Sequence, residues 1–164
     1  IEMQTVKMVV TGPFNAGKTE FISSISEIDV VSTERKISSE PERIKNATTV
    51  AMDFGRITVD EDLILYLFGT PGQKRFDFMW EILSKEMNAF IVLVDSCNRD
   101  TLLEAKSLLR TFRRLARRNK APYLVVANKQ DVEGAWPGWW PPDGFQLLLH
   151  WLHRIRDRRN QEQH

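Results

Sequence analysis

The chain has 164 residues, 42% of them apolar or aromatic, enough for one packed core and too apolar for a disordered or collagen-like chain. Lys and Arg number 23 against 22 Asp and Glu, so a net charge of +1 gives no reason to make nucleic acid the main partner. The one cysteine, Cys97, excludes an internal disulfide framework or a cysteine-rich zinc module and suits a reducing, cytoplasmic setting. No apolar run nears the roughly 18 residues of a membrane span. A sequence that begins at Ile1 leaves open a trimmed N-terminus with its own targeting or lipidation signal.

Residues 6–10 form a continuous run rich in β-branched side chains and too short for a helix, which predicts a buried strand. Gly12-Pro13-Phe14-Asn15-Ala16-Gly17-Lys18-Thr19 follows at once, a complete G-x-x-x-x-G-K-T between that strand and a helical pattern at 18–28. Its residue types suit a phosphate chain. Gly12, Asn15, Ala16 and Gly17 offer backbone N–H groups, and the helix N-terminus favours the negative charge. Lys18 supplies a positive charge to the β and γ phosphates, and the Thr19 hydroxyl is a hard oxygen ligand for Mg²⁺.

Residues 29–47 are rich in Ser, Glu, Lys and Arg without apolar periodicity, which reads as a long polar loop of the kind that serves function or moves. Residues 50–59 and 63–68, joined through Asp60-Glu61-Asp62, predict an antiparallel hairpin at a sheet edge. A weaker helical pattern covers 74–86, residues 89–94 predict another buried strand, and 102–116 repeat their apolar positions at a period of 3.6. The strand at 123–127 ends in Asn128-Lys129-Gln130-Asp131, an N-K-x-D. Continuous rather than alternating hydrophobicity, with helices between strands, predicts an α/β fold: an open, mostly parallel sheet with helices on both faces.

The N-K-x-D chooses among bases. Guanine presents N1–H and an N2 amino group on one edge, and a single carboxylate, Asp131, can accept both. Adenine turns a lone pair toward the same carboxylate and is refused. Asn128 would bridge the base edge and the phosphate loop, and the Lys129 stem would pack along the purine.

These motifs, with Thr49-Val50-Ala51-Met52-Asp53-Phe54 and Gly69-Thr70-Pro71-Gly72-Gln73, resemble the Ras superfamily of small GTPases over residues 6–131. The spacing and the Gly-Gln pair are also similar to a prokaryotic branch that includes gliding-motility polarity GTPases and GTPases encoded beside Roadblock-type regulators. The resemblance implies the P-loop NTPase fold with a six-stranded sheet, GTP and GDP with Mg²⁺, and two switch segments. It makes Thr49 the switch threonine that binds Mg²⁺ and meets the γ-phosphate, and residues 29–47 the segment that moves. It gives the Gly72 N–H to the γ-phosphate and the Gln73 amide to the attacking water, so that Lys18, Thr49, Gly72 and Gln73 form the catalytic set and Thr19 and Thr49 the metal ligands. Such sites turn over slowly without an arginine finger; Arg43, Arg56 and Arg75 lie near the switches in sequence and read as ordinary charges. A Roadblock-type activator is the partner the resemblance suggests.

Three features depart from that family. Gly69 stands where it carries the aspartate that holds Mg²⁺ through water, which weakens the metal site unless Asp53 or another acid substitutes. Phe14 puts bulk at a loop position that is often glycine. From residue 132 onward nothing matches the family's Ser-Ala-Lys-like loop or last strand. Residues 132–164 hold Trp136, Trp139 and Trp140 and a helical pattern at 143–156. They read either as a diverged end that covers the core or as an altered part of a longer domain.

Other candidates are weaker. Arg110, Arg113, Arg114, Arg117, Arg118 and Lys120 share the polar side of the 102–116 helix, where a solvated face, an anionic lipid surface and an acidic partner all fit. Peripheral membrane contact has no further support in the sequence. His150 and His153 lack a third metal ligand, and Cys97 lacks a partner histidine. The sequence thus predicts a single small GTPase domain over 1–164, a GTP/GDP switch that hydrolyses GTP. The alternatives are a nucleotide-binding interaction module without turnover and, against Asp131, an ATPase.

Overall fold

A computed structural model describes residues 3–32, 35–37, 48–50, 52–71 and 76–136. Among the described residues there are eight strands: β1 (Gln4–Thr11), β2 (Val31–Ser32), β3 (Arg35–Ile37), β4 (Thr48–Val50), β5 (Asp53–Asp60), β6 (Leu63–Gly69), β7 (Ala89–Asp95) and β8 (Tyr123–Asn128). Three α-helices join them: α1 (Lys18–Ile25), α2 (Asp77–Ser84) and α3 (Leu102–Leu115). Six strands form one sheet in the order β2-β5-β6-β1-β7-β8, and β3 pairs with β4 in a separate ribbon. The β6-β1-β7-β8 part is parallel, while β5 and β2 run antiparallel at one edge.

The predicted strands and the hairpin are all found, and the reason is visible in the core. Val9 and Val10, adjacent in β1 and both fully buried, face opposite sides of the sheet. Val9 joins Trp80, Leu83, Phe90, Val92, Leu108 and Phe112 beneath α2 and α3. Val10 joins Ile22, Leu67, Ile91 and Leu93 on the α1 side. A sheet covered on both faces selects the unbroken apolar runs read from the sequence. No described helix is long and apolar enough to cross a membrane.

Several expectations are corrected. Residues 29–47 are not loop throughout. Val31–Ser32 pair with Phe54–Asp53, and Arg35–Ile37 pair with Thr48–Val50; pairing at an edge is carried by backbone hydrogen bonds and asks for no apolar period. Helix α1 ends three residues before the predicted Ile28, because Ser26 turns to an extended conformation (φ −76°, ψ 136°). Its hydroxyl there accepts the N–H of Arg56 at 3.1 Å and binds α1 to β5. The described part of α2 ends at Ser84, and Glu86 takes a left-handed φ of 57°. The main sheet has six strands, but the sixth is β2 at its edge. The segment where the resemblance places the last strand lies beyond residue 136, outside the described residues.

The register decides where a site can form. Val10 is level with Gly69, Gly69 with Asp53, and Asp95 with Asn128. The chain therefore leaves β1, β6, β7 and β8 at one end of the sheet, and Asp53 enters β5 at that same end. In an open parallel sheet this is where ligands bind.

Candidate functional site

The loop after β1 has the backbone of an anion cradle. Asn15 (φ 62°) and Gly17 (φ 92°) are left-handed, separated by Ala16, a nest-like alternation of hands. Gly17 is required twice over: its φ disfavours a side chain, and a Cβ would collide with the Asn128 amide. It also forms the N-cap of α1 with no side-chain hydrogen bond, so no cap side chain competes there for the helix's first N–H groups.

Lys18 opens α1 and is only 9% exposed. Its ammonium donates to the carbonyls of Gly12 at 2.9 Å and Pro13 at 2.8 Å. Burial pushes its pKa down from the ordinary 10.5 to about 8, opposed by the negative charges of Asp53 and Glu104. A buried lysine with two neutral acceptors gains strongly from an anion.

Beside it the Thr19 hydroxyl donates to Asp53 Oδ2 at 2.6 Å. Asp53 is 8% exposed and cross-strand from Gly69. A Cβ added to Gly69 would lie 3.1 Å from the Asp53 Cβ, 3.4 Å from its Oδ2, and 2.9 Å from Ile22 Cδ1. A carboxylate from β5 thus stands beside Thr19, and the glycine at 69 makes room for it. A hydroxyl and a carboxylate are the hard oxygen donors that suit Mg²⁺. Among the described residues no group of three or more His, Cys, Asp or Glu side chains could hold a metal by itself.

The other end of the site is built on β7 and β8. Asn128 donates through Nδ2 to the Ala16 carbonyl at 2.9 Å, tying the N-K-x-D to the phosphate loop. Lys129 (φ 64°) pairs with Asp95 at 2.7 Å. Asp95, 4% exposed, also accepts the Cys97 N–H at 2.9 Å, so both carboxylate oxygens are engaged. Gln130 donates to the Ser96 hydroxyl at 2.7 Å, while the Asp131 carboxylate is exposed.

The structure therefore brings together Gly12, Asn15, Ala16, Gly17, Lys18, Thr19, Asn128 and Lys129 at one end of the sheet, with Asp131 in the turn that follows. Thr49 lies in β4, level with Lys36 in the small ribbon. Gly72 and Gln73 fall outside the described residues, as do Arg43, Arg75, Trp139, Trp140, His150 and His153. Thr70, next to Gly69, is anchored to β1 through its N–H on the Val10 carbonyl and its hydroxyl on Thr11. Phe14 projects from the loop, 67% exposed. Arg56 is half-buried, and its Nε is buried without a hydrogen-bond partner among the described residues. Trp136 is half-buried: its backbone N–H donates to the Ser96 carbonyl and the Arg99 guanidinium lies 5.4 Å from its ring centre.

Sequence reasoning missed Asp95 and named Asp53 only as a substitute. Each stands directly opposite a motif residue across a strand pair, so the signal was cross-strand register rather than local spacing.

Comparison with known proteins agrees with this geometry. A family described as "Conserved hypothetical ATP binding protein" matches residues 28–149, a stretch that begins after the phosphate loop. An uncharacterized protein of Methanocaldococcus jannaschii, MJ1339, is 33% identical over 127 residues, 77% of this chain and 71% of that protein. Human ADP-ribosylation factor-like protein 4C is 28% identical over 134 residues, 82% of this chain and 65% of its own length. Bovine ADP-ribosylation factor-related protein 1 is 28% identical over 126 residues, 77% and 60% of the two lengths. The chain thus spans 60–71% of these relatives. In fold it is similar to the small GTPase Arl6 (BBS3) of Trypanosoma brucei, solved with the nucleotide analogue GppNp. The TM-score is 0.60 at 24% identity, covering 81% of this chain and 72% of that one. Two of these relatives carry ADP-ribosylation factor names, and none points to the gliding-motility branch expected from sequence. The phosphate loop, the strand order and these relatives together make the chain a member of the Ras-like small GTPases within the P-loop superfamily, and of the family that carries the ATP-binding description.

Proposed function

We propose that this chain is a guanine-nucleotide switch that binds GTP and GDP with Mg²⁺ and hydrolyses GTP with an oriented water. One observation carries the reading: the Asn128 to Ala16 hydrogen bond of 2.9 Å, which makes the phosphate loop and the base-selecting turn one site. A nucleoside triphosphate laid along that site puts its phosphates on the loop N–H groups and Lys18, and its base at residues 128–131.

Each residue then has a task. Lys18 exchanges two carbonyl partners for phosphate oxygens, whose negative charge offsets the cost of burying its own. Thr19 and Asp53, with Thr49 from the switch segment, are the oxygen donors for Mg²⁺, which when bound neutralises charge on the phosphates. Asp131 accepts guanine N1–H and N2–H. Asp95 fixes Lys129 so that its stem, rather than its charge, meets the purine. The Gly72 N–H and the Gln73 amide, assigned through the family resemblance, hold the γ-phosphate and the attacking water. Positioning and charge neutralisation are most of what phosphoryl transfer requires. None of Arg43, Arg56 and Arg75 is assigned as an arginine finger; an activating partner, of which a Roadblock-type activator is the family's example, would speed the reaction.

The printed description of the matching family favours a second reading, ATP. The two separate cleanly. Fluorescent GDP binding competed by GTP and ATP, followed by phosphate release from each triphosphate with Mg²⁺, tests both. Preferential displacement by GTP with slow release supports the switch. Equal displacement by ATP defeats the guanine assignment, and binding without release above the buffer blank, with or without activator, leaves only the interaction module.

A further inference from the structure

Helix α3 carries a feature that the nucleotide site does not use. Lys106, Arg110, Arg113 and Arg114 recur at i, i+4, i+7 and i+8, one stripe of the α3 helix, and Arg117, Arg118 and Lys120 continue the basic run into the following turn. All seven are exposed. Residues 105–120 contain no Asp or Glu. None of the seven has an ion pair among the described residues, where the one salt bridge is Lys129–Asp95. The acid that α3 does carry, Glu104, faces α2, where it lines a cavity with Asp77 and Trp80. The opposite side of α3, Ala105, Leu108 and Phe112, is buried in the core and fixes the basic stripe outward.

We infer that this face of α3 docks the protein on an anionic membrane surface through lipid phosphates and carboxylates. Five of the seven cations are arginine, the side chain that grips phosphate through a planar fork. The shape of the charge favours a plane over a polyanion that wraps. The whole chain has a net charge of only +1, so everything outside this stripe is net negative and repels a strand that extends past it. Single-stranded nucleic acid also needs exposed rings for stacking. The ring beside the stripe, Tyr123, is stacked on Phe90 at 5.2 Å and lies 5.7 Å from the Arg113 guanidinium. An acidic peptide must match the fixed spacing of these cations, whereas a lipid surface supplies laterally mobile charge wherever the cations fall. Docking here leaves the nucleotide end free: the stripe runs toward the C-terminal end of α3, and the site lies at the end of the sheet where α3 begins.

The test is co-sedimentation of the full chain with vesicles of phosphatidylcholine alone and of phosphatidylcholine with phosphatidylserine. A single-stranded RNA and a polyglutamate peptide serve as soluble anions. Binding to the mixed vesicles but not the neutral ones, falling as salt rises, is expected. Replacing Arg110, Arg114, Arg117 and Arg118 by Gln should weaken it by at least about tenfold, since each surface cation contributes roughly a fivefold factor. The matching Lys variant should keep most of it. Melting temperature and fluorescent GDP binding, both expected to be unchanged, show that the Gln variant is folded. If that variant does not fold, the Lys106→Gln, Arg110→Gln pair and the salt titration of the unsubstituted chain serve instead. No binding to mixed vesicles at low salt, binding undiminished in the folded Gln variant, or tighter binding to RNA or polyglutamate than to vesicles overturns the proposal.

Discussion

Two lysines in one site are held in opposite ways. Lys18 is buried against the neutral carbonyls of Gly12 and Pro13, and its pKa is depressed to about 8. Lys129, at the base end, is already neutralised by Asp95 at 2.7 Å. The phosphate end therefore stores an electrostatic demand that an anion satisfies, while the base end is pre-arranged and asks little of the ligand's charge. Affinity should reside at Lys18, and selectivity in the turn that Lys129 and Asp95 hold.

The largest effect expected is on replacing Lys18 by Met. Nucleotide affinity should fall about a hundredfold or more, as charge-assisted contacts to phosphate are lost. The nucleotide-free fold should become more stable near pH 7, by on the order of 1–3 kcal/mol, because a desolvated cation is removed. The sign follows from the depressed pKa. Below about pH 8 folded and unfolded chains both carry the proton and the folded one bears the whole burial cost; between about 8 and 10.5 the unfolded chain holds more protons, and stability rises with pH. In the unsubstituted chain nucleotide affinity should decline by up to about tenfold per pH unit above pH 8. Thermal melts and nucleotide titrations across that window check both halves, and a destabilised Lys18→Met protein near pH 7 would remove the contrast between the two lysines.

An intermediate effect is expected at the displaced carboxylate. Asp53→Asn should weaken the Mg²⁺ requirement of nucleotide binding by about tenfold, the scale of losing an oriented carboxylate near a metal. Gly69→Asp alone should destabilise the fold by about 1–3 kcal/mol, since its Cβ meets Ile22 Cδ1 at 2.9 Å and Asp53 Cβ at 3.1 Å. Combined with Asp53→Gly, the same substitution should regain much of the stability and of the Mg²⁺ response, because one carboxylate again occupies the space. Mg²⁺ titrations of the three proteins decide it; a double variant no better than either single one refutes the exchange.

The smallest effect is expected at the base end. Asp95→Asn leaves Lys129 without its ion pair, and should cost about 1–3 kcal/mol of stability, between the values for an exposed and a fully buried pair because the Lys129 side chain is 27% exposed. Guanine nucleotide affinity should drop only severalfold. Denaturant melts and GDP titration measure the two, and a loss of affinity as large as that of Lys18→Met would reverse the assigned roles.

How much of this was legible in the sequence follows the same division. The phosphate loop and the N-K-x-D are contiguous runs, and Val9 and Val10 announce a sheet buried on both faces, so fold class, strand positions and the main loop could be read directly. Asp53 opposite Gly69, and Asp95 opposite Asn128, could not, because each partnership exists only in the register between strands. The early end of α1 depends on Ser26 finding the Arg56 N–H thirty residues away in β5, which no local propensity contains. The basic stripe of α3 was legible as a pattern; its lack of ion pairs among the described residues required the packed helix.

The most direct measurement is competition for fluorescent GDP by GTP, XTP and ATP, in the unsubstituted protein and in Asp131→Asn. A carboxylate that reads guanine N1–H and N2–H predicts that GTP displaces GDP and ATP does not, and that the Asn variant transfers its preference from GTP to XTP. Displacement by ATP as effective as by GTP, or an Asn variant with unchanged GTP affinity, would contradict a guanine-nucleotide switch.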